Sequence, residues 1–172
     1  DASTTWARTT AAAKTGTASM WFDSKNYTCN GCIEILQTPN LDLTSITTPH
    51  VTFQVAYQLL TNPASAQNWS DTLRVDISTD CGKSWTTLYH KYGTALTTTT
   101  PTFSSAAFIP DTSEWRLESI DLTPYASNNN VILRWKVSSD YENNLYIDDI
   151  NIGSTGYNAI ENQQDLNDMV LV

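Results

Sequence analysis

Leu145-Tyr146-Ile147-Asp148-Asp149-Ile150-Asn151-Ile152 decides how this chain is read. Its β-branched and aromatic content is that of a strand. Side chains alternate across a strand, so Tyr146, Asp148, Ile150 and Ile152 are expected on one face. Leu145, Ile147, Asp149 and Asn151 are expected on the other. Whichever face is core, a carboxylate stands at or near the interior, where an unpaired charge is not tolerated. It requires a cation, a cluster of hydrogen-bond donors, or a place at the end of the sheet.

Working outward, the same period of two recurs. Val51, Phe53, Val55, Tyr57 and Leu59 alternate with Thr52, Gln54, Ala56 and Gln58. Leu73, Val75 and Ile77 alternate with Arg74, Asp76 and Ser78, and Val131, Leu133, Trp135 and Val137 with Ile132, Arg134, Lys136 and Ser138. Further strands are predicted over Ala18 to Phe22, Ile33 to Leu36, Trp85 to Tyr92, Thr102 to Phe108 and Arg116 to Leu122. Turn residues punctuate them, notably Thr79-Asp80-Cys81-Gly82-Lys83-Ser84, which reads as a hairpin loop. No amphipathic helix is evident. About nine strands without helices imply an all-β fold, an antiparallel two-sheet jelly-roll β-sandwich. The Thr-rich run from Thr94 to Thr102 reads as an exposed loop or edge strand.

The chain has 172 residues, 40% of them hydrophobic, enough for one domain with a sizeable core. Lys and Arg number 9 against 18 Asp and Glu, a net charge of −9. That balance excludes nucleic acid and anionic membrane surfaces as expected partners and favours divalent cations. No apolar run reaches the ~18 residues of a membrane helix. The expected organisation is a sandwich domain over 1–153 and a linker over 154–172 leading to a further, truncated domain. The sequence opens on Asp1 and is expected to be a piece of a longer exported polypeptide. Cys29, Cys32 and Cys81 allow one disulfide in any of three ways; free thiols and half a zinc site remain open.

Signatures of catalysis are missing: there is neither HExxH nor G-x-S-x-G. His50 and His90 are read as ordinary strand residues. Glu114 and Glu118 stand about 13 Å apart on a strand, too far for a glycosidase pair. Calcium is the expected chemistry, since it takes six to eight oxygens where loops meet strand ends. The candidate ligands are Asp23, Glu34, Asp71, Asp148 and Asp149. Aromatic side chains stack on sugar rings, and Trp69 and Trp115 are the candidate platforms of a carbohydrate-binding alternative.

Asp71-Thr72-Leu73-Arg74-Val75-Asp76-Ile77-Ser78-Thr79-Asp80-Cys81-Gly82-Lys83-Ser84-Trp85 resembles a motif of jelly-roll accessory domains in secreted bacterial proteins. Ser113-Glu114-Trp115-Arg116, Ile120 to Tyr125, Val131 to Trp135 and Asn144 to Ile150 follow in the same order. The stretch 18–153 is similar to MAM-like, cleaved-adhesin domains, and most to modules that follow pappalysin-type metalloproteases. The tail resembles the linker before a type IX secretion sorting domain. The resemblance implies a non-catalytic, calcium-stabilised accessory or adhesion domain, secreted or at the cell surface. A monomer is expected, contacting a protein substrate, a cell-surface ligand or a glycan. Glu34, Asp71, Asp148 and Asp149 are the positions it implies for calcium.

Overall fold

A computed structural model describes residues 5–60, 69–104, 106–154 and 170–171. The strands are β1 (Ala7–Thr9), β2 (Ser19–Phe22), β3 (Ile33–Gln37), β4 (Pro49–Tyr57), β5 (Thr72–Ser78), β6 (Thr86–Tyr92), β7 (Arg116–Asp121), β8 (Ile132–Ser138), β9 (Leu145–Ser154) and β10 (Val170–Leu171). They form two antiparallel sheets, β1-β2-β9-β4-β7 (sheet A) and β10-β3-β8-β5-β6 (sheet B). The jelly-roll sandwich read from the sequence is the observed fold.

The core follows from the alternation. Phe22, Val51, Phe53, Val55, Leu145 and Ile147 of sheet A meet Leu36, Leu73, Val75, Leu133, Trp135 and Val137 of sheet B, all fully buried. Phe53 sets its edge against Tyr89 and Trp135, at centroid separations of 5.6 and 5.7 Å, a favoured aromatic geometry. Between β6 and β7, the edge of the sandwich is closed by charge. Glu118 accepts from Lys91 Nζ at 2.7 Å and Arg116 Nε at 2.8 Å. The same Arg116 donates to the carbonyls of Ala95, Leu96 and Thr97 and so caps the single helical turn α1 (Gly93–Leu96).

Three expectations are corrected. The described residues between Thr102 and Phe108 form no strand; Thr102 makes one isolated bridge to Leu60, and Phe108 is buried by packing. The Thr run is not simply an exposed loop or edge strand: Thr97 and Thr98 hydrogen-bond the end of β4 through Tyr57 and Leu59. Most consequential is β9. Thr52 pairs with Asn151 but Gln54 pairs with Asp148, so two β9 residues oppose Phe53. Asp149, at φ 50°, lies in this bulge. An extra residue reverses the parity of everything after it. Ile150 and Ile152 therefore pack on the sandwich interior with Leu145 and Ile147, not on the face of Tyr146 and Asp148.

Candidate functional site

The bulge answers the question the two aspartates pose. Asp148 is 3% exposed on the outer face of sheet A, beneath the segment that joins β1 to β2. Its Oδ2 accepts the backbone N–H groups of Lys14 at 2.7 Å and Thr15 at 3.3 Å, and its Oδ1 that of Asp149 at 2.9 Å. Burial raises its pKa, with these donors opposing. Asp149 accepts a short hydrogen bond from the Thr15 hydroxyl. Hydrogen-bond donors from the β1–β2 segment and from Asp149 itself thus meet both carboxylates.

The other expected ligands are likewise dispersed. Asp23 caps the turn Ser24–Asn26, accepting from the backbone and side chain of Asn26. Glu34 accepts from the Tyr27 hydroxyl at 2.6 Å, and that tyrosine, by burial and then by Glu34, is pushed up to about 12. The five carboxylates do not form one centre. Among the described residues no three His, Cys, Asp or Glu side chains are grouped to hold a metal ion.

Asp71 differs from the rest. It is fully buried at the start of β5. Its Oδ1 accepts the Asp140 N–H at 2.6 Å; its Oδ2 makes no hydrogen bond of good geometry, although the Ser24 hydroxyl and the Glu142 N–H stand close enough to the carboxylate to oppose the rise in its pKa. Burial chiefly raises its pKa to about 6, and the Asp140 charge adds to this. Glu142 stands beside it, 1% exposed, accepting the Leu60 N–H at 2.6 Å. Burial, then the charges of Asp71 and Asp140, raises Glu142 to about 7. The sequence reading missed Asp140 and Glu142 because Ser139 to Asn144 looks like any polar turn.

Cys29 and Cys32 are joined as a disulfide and Cys81 is free and exposed. Trp115 is not a sugar platform. It is buried on the outer face of sheet A with Ala12, Ala56, Phe108 and Tyr146. Trp69 meets the edge of Tyr141, itself 48% exposed, at 5.9 Å.

The outer face of sheet B carries a cleft of about 270 Å³. Strand register builds it in rows. Ser138 and Thr72 pair across β8 and β5, with Ile33 and Tyr92 at the flanks. The next row is Ile35, Lys136, Arg74 and His90. The third sets Arg134 beside Asp76. Burial of Asp76 alone would raise its pKa. Thr87 and Arg134 donating to it, with the charges of Lys136 and Arg134, outweigh that and hold it below the usual carboxylate range. Arg134 reaches Asp76 Oδ2 from both Nε and an Nη at 3.0 Å and covers Trp85 at 3.8 Å. Lys136 stands 3.6 Å from the same oxygen. Tyr92 is 59% and Ile33 51% exposed at the cleft's sides.

The molecule is a two-sheet jelly-roll β-sandwich with one outer face packed over and the other carrying a charged cleft. The chain belongs to the Reelin subrepeat B family, whose model matches residues 7–153. No curated protein sequence matches it. Among solved structures it is similar to the K1 cleaved adhesin domain of Lys-gingipain from Porphyromonas gingivalis W83. That match has TM-score 0.58 and 20% identity, and covers 90% of this chain and 86% of that one. It is also similar to the module CBM27-1 of Caldicellulosiruptor saccharolyticus, solved with mannohexaose. Here the TM-score is 0.54 and the identity 12%, over 87% of this chain and 81% of that one. At these identities the likeness shows the fold. The cleaved-adhesin resemblance read from the sequence thus has a structural counterpart, while the family is one the short motifs did not supply.

Proposed function

We propose that this chain is a non-catalytic binding module of a larger secreted protein and that it engages a glycan on the outer face of sheet B. The observation that carries the reading is the cleft between Ile33 and His90, which combines hydroxyl, cationic and apolar groups on a rigid sheet. Sugar recognition uses that mixture: rings stack on exposed aromatics while hydroxyls exchange hydrogen bonds with polar side chains. Tyr92 flanks the cleft as the partner of Thr72, and Trp69 and Tyr141, whose rings meet at 5.9 Å, lie three residues before Thr72 and three after Ser138. Sites on sheets hold their geometry better than sites on loops.

Glycan-array binding of the chain tests this directly. Binding is expected, with loss of most of it in Tyr92→Ala and a smaller loss in Trp69→Ala. No binding to any glycan overturns the reading in favour of adhesion to a protein surface. Calcium belongs to the proposal only at Asp71, a fully buried carboxylate whose charge acts on the buried Glu142. Hydroxyl and carbonyl oxygens would have to complete the six to eight that calcium takes. A melting temperature that falls on chelation supports that, because a ligand of the native state stabilises by mass action; an unchanged one removes calcium from the account.

A further inference from the structure

We infer that the ligand of this cleft is an anionic glycan, and that Arg74 is the residue that selects for its acidic group. This rests on reading the outer face of sheet B as the binding surface. Three of the chain's 9 Lys and Arg residues, Arg74, Arg134 and Lys136, stand on adjacent strands of that one face. Asp76 is the acid among them, and Arg134 occupies it from two nitrogens. A local cationic surface on a chain of net charge −9 is not the by-product of a basic composition.

Arg74 is the outlier of the three. Arg134 has Asp76 and the Trp85 ring, and Lys136 has Asp76. Arg74 forms no ion pair with any described residue, and its Nε is buried without a hydrogen-bond partner. A half-buried guanidinium held in the middle of a sheet has lost hydration without gaining an acceptor. Its planar fork matches a carboxylate or sulfate, which accepts two parallel N–H bonds. Lys136 and His90 stand on either side of it in the same row, the first as a second cation and the second as a ring packed on Tyr92 at 5.7 Å. Thr72 and Ser138, one row away, offer hydroxyls. Acid group on Arg74, ring against Tyr92 and hydroxyls to Thr72 and Ser138 is the arrangement of an acidic sugar rather than of an extended peptide. A peptide strand would instead seek an open sheet edge.

The test is binding of the whole chain to four polymers at ~0.15 M salt, where the protein's overall negative charge is largely screened. Polygalacturonate carries carboxylates, dextran sulfate carries sulfates, galactomannan is neutral, and poly-glutamate is acidic without sugar. Retention of one or both charged polysaccharides, in preference to galactomannan and poly-glutamate, is expected; which of the two binds tells carboxylate from sulfate. Arg74→Ala should weaken it about 10- to 100-fold, the equivalent of a charge-assisted hydrogen bond. Arg74→Lys, which keeps the charge and loses the fork, should fall between. Lys83→Ala, in the remote hairpin turn, should bind as the parent does. Melting of each variant shows that it is folded. Equal binding of galactomannan overturns the inference and leaves the glycan reading standing. Stronger binding of poly-glutamate makes the partner an acidic protein. Undiminished binding by folded Arg74→Ala removes that residue from the site, and no binding to any polymer overturns both readings.

Discussion

The two sheets treat their outer faces differently. On sheet A, Trp21, Ala56 and Tyr146 lie in one row across β2, β4 and β9, and Ala12, Phe108 and Trp115 are laid over them. On sheet B the corresponding face has Ile33, Arg74, His90, Lys136 and Tyr92 with no such covering among the described residues. Loop and N-terminal segments convert the first face into a second, smaller core. The second face leaves its cationic side chains half-buried in the sheet and not covered by other segments among the described residues. If sheet B is the binding face proposed above, the contrast separates stability from recognition: residues over sheet A hold the domain together, and the uncovered face of sheet B meets the ligand.

The largest effect expected from breaking this contrast is Trp115→Ala. It removes a buried aromatic that meets Tyr146 at 6.2 Å, and large-to-small changes of this kind cost about 3–5 kcal/mol. Tyr92→Ala on the open face should cost within about 0.5 kcal/mol, as exposed substitutions do. Chemical denaturation of the two variants measures both. Similar losses would show that the faces are not divided as described.

Asp148→Ala should follow. It strands the N–H groups of Lys14, Thr15 and Asp149 beneath a buried surface, at a cost of about 3 kcal/mol. The loss should appear equally with and without calcium, since the carboxylate is held by donors. A defect that calcium rescues would place an ion at β9 after all.

Asp148 also marks the limit of what was legible beforehand. Period-two alternation in Val51 to Leu59, Leu73 to Ile77 and Val131 to Val137 located the sheets, because each strand has one buried face. Alternation cannot foresee the extra residue at Asp149, since a bulge is a relation between two strands and not a property of one. Hence Ile150 and Ile152 were expected on the wrong face. Trp115 was read beside polar neighbours, although the surface that buries it comes from Ala12 and Phe108, distant in sequence. Arg74 was visible only as the polar partner in an alternating strand. Its isolation emerges when β8 and β6 are laid on either side.

The Asp71 corner gives a pH dependence. Asp71 and Glu142 have folded pKa values raised to about 6 and about 7, against an ordinary carboxylate near 4. A raised folded value means the native state binds more protons than the unfolded chain. The contribution is full below the ordinary range and is lost as pH rises through the folded values. With chelator present, stability should therefore decline between about pH 4 and pH 7, by a few kcal/mol. The double variant Asp71→Asn/Glu142→Gln should flatten that slope. A slope that survives in the double variant would assign it elsewhere.

The smallest stability change is expected for Arg74→Ala, and its smallness is informative. Removing a guanidinium with no ion pair and a buried, unsatisfied Nε forfeits no protein contact of consequence and relieves a desolvated donor. The change should lie within about 0.5 kcal/mol of the parent, in either direction. Arg134→Ala, one row away, should cost several times more, because it leaves the buried Asp76 with Thr87 and the more distant Lys136. If binding follows Arg74 while stability follows Arg134, two neighbouring arginines on one sheet face divide the same labour that the two faces divide across the domain. If Arg74→Ala instead unfolds the protein as readily as Arg134→Ala, the guanidinium is structural and the open face loses its selective residue.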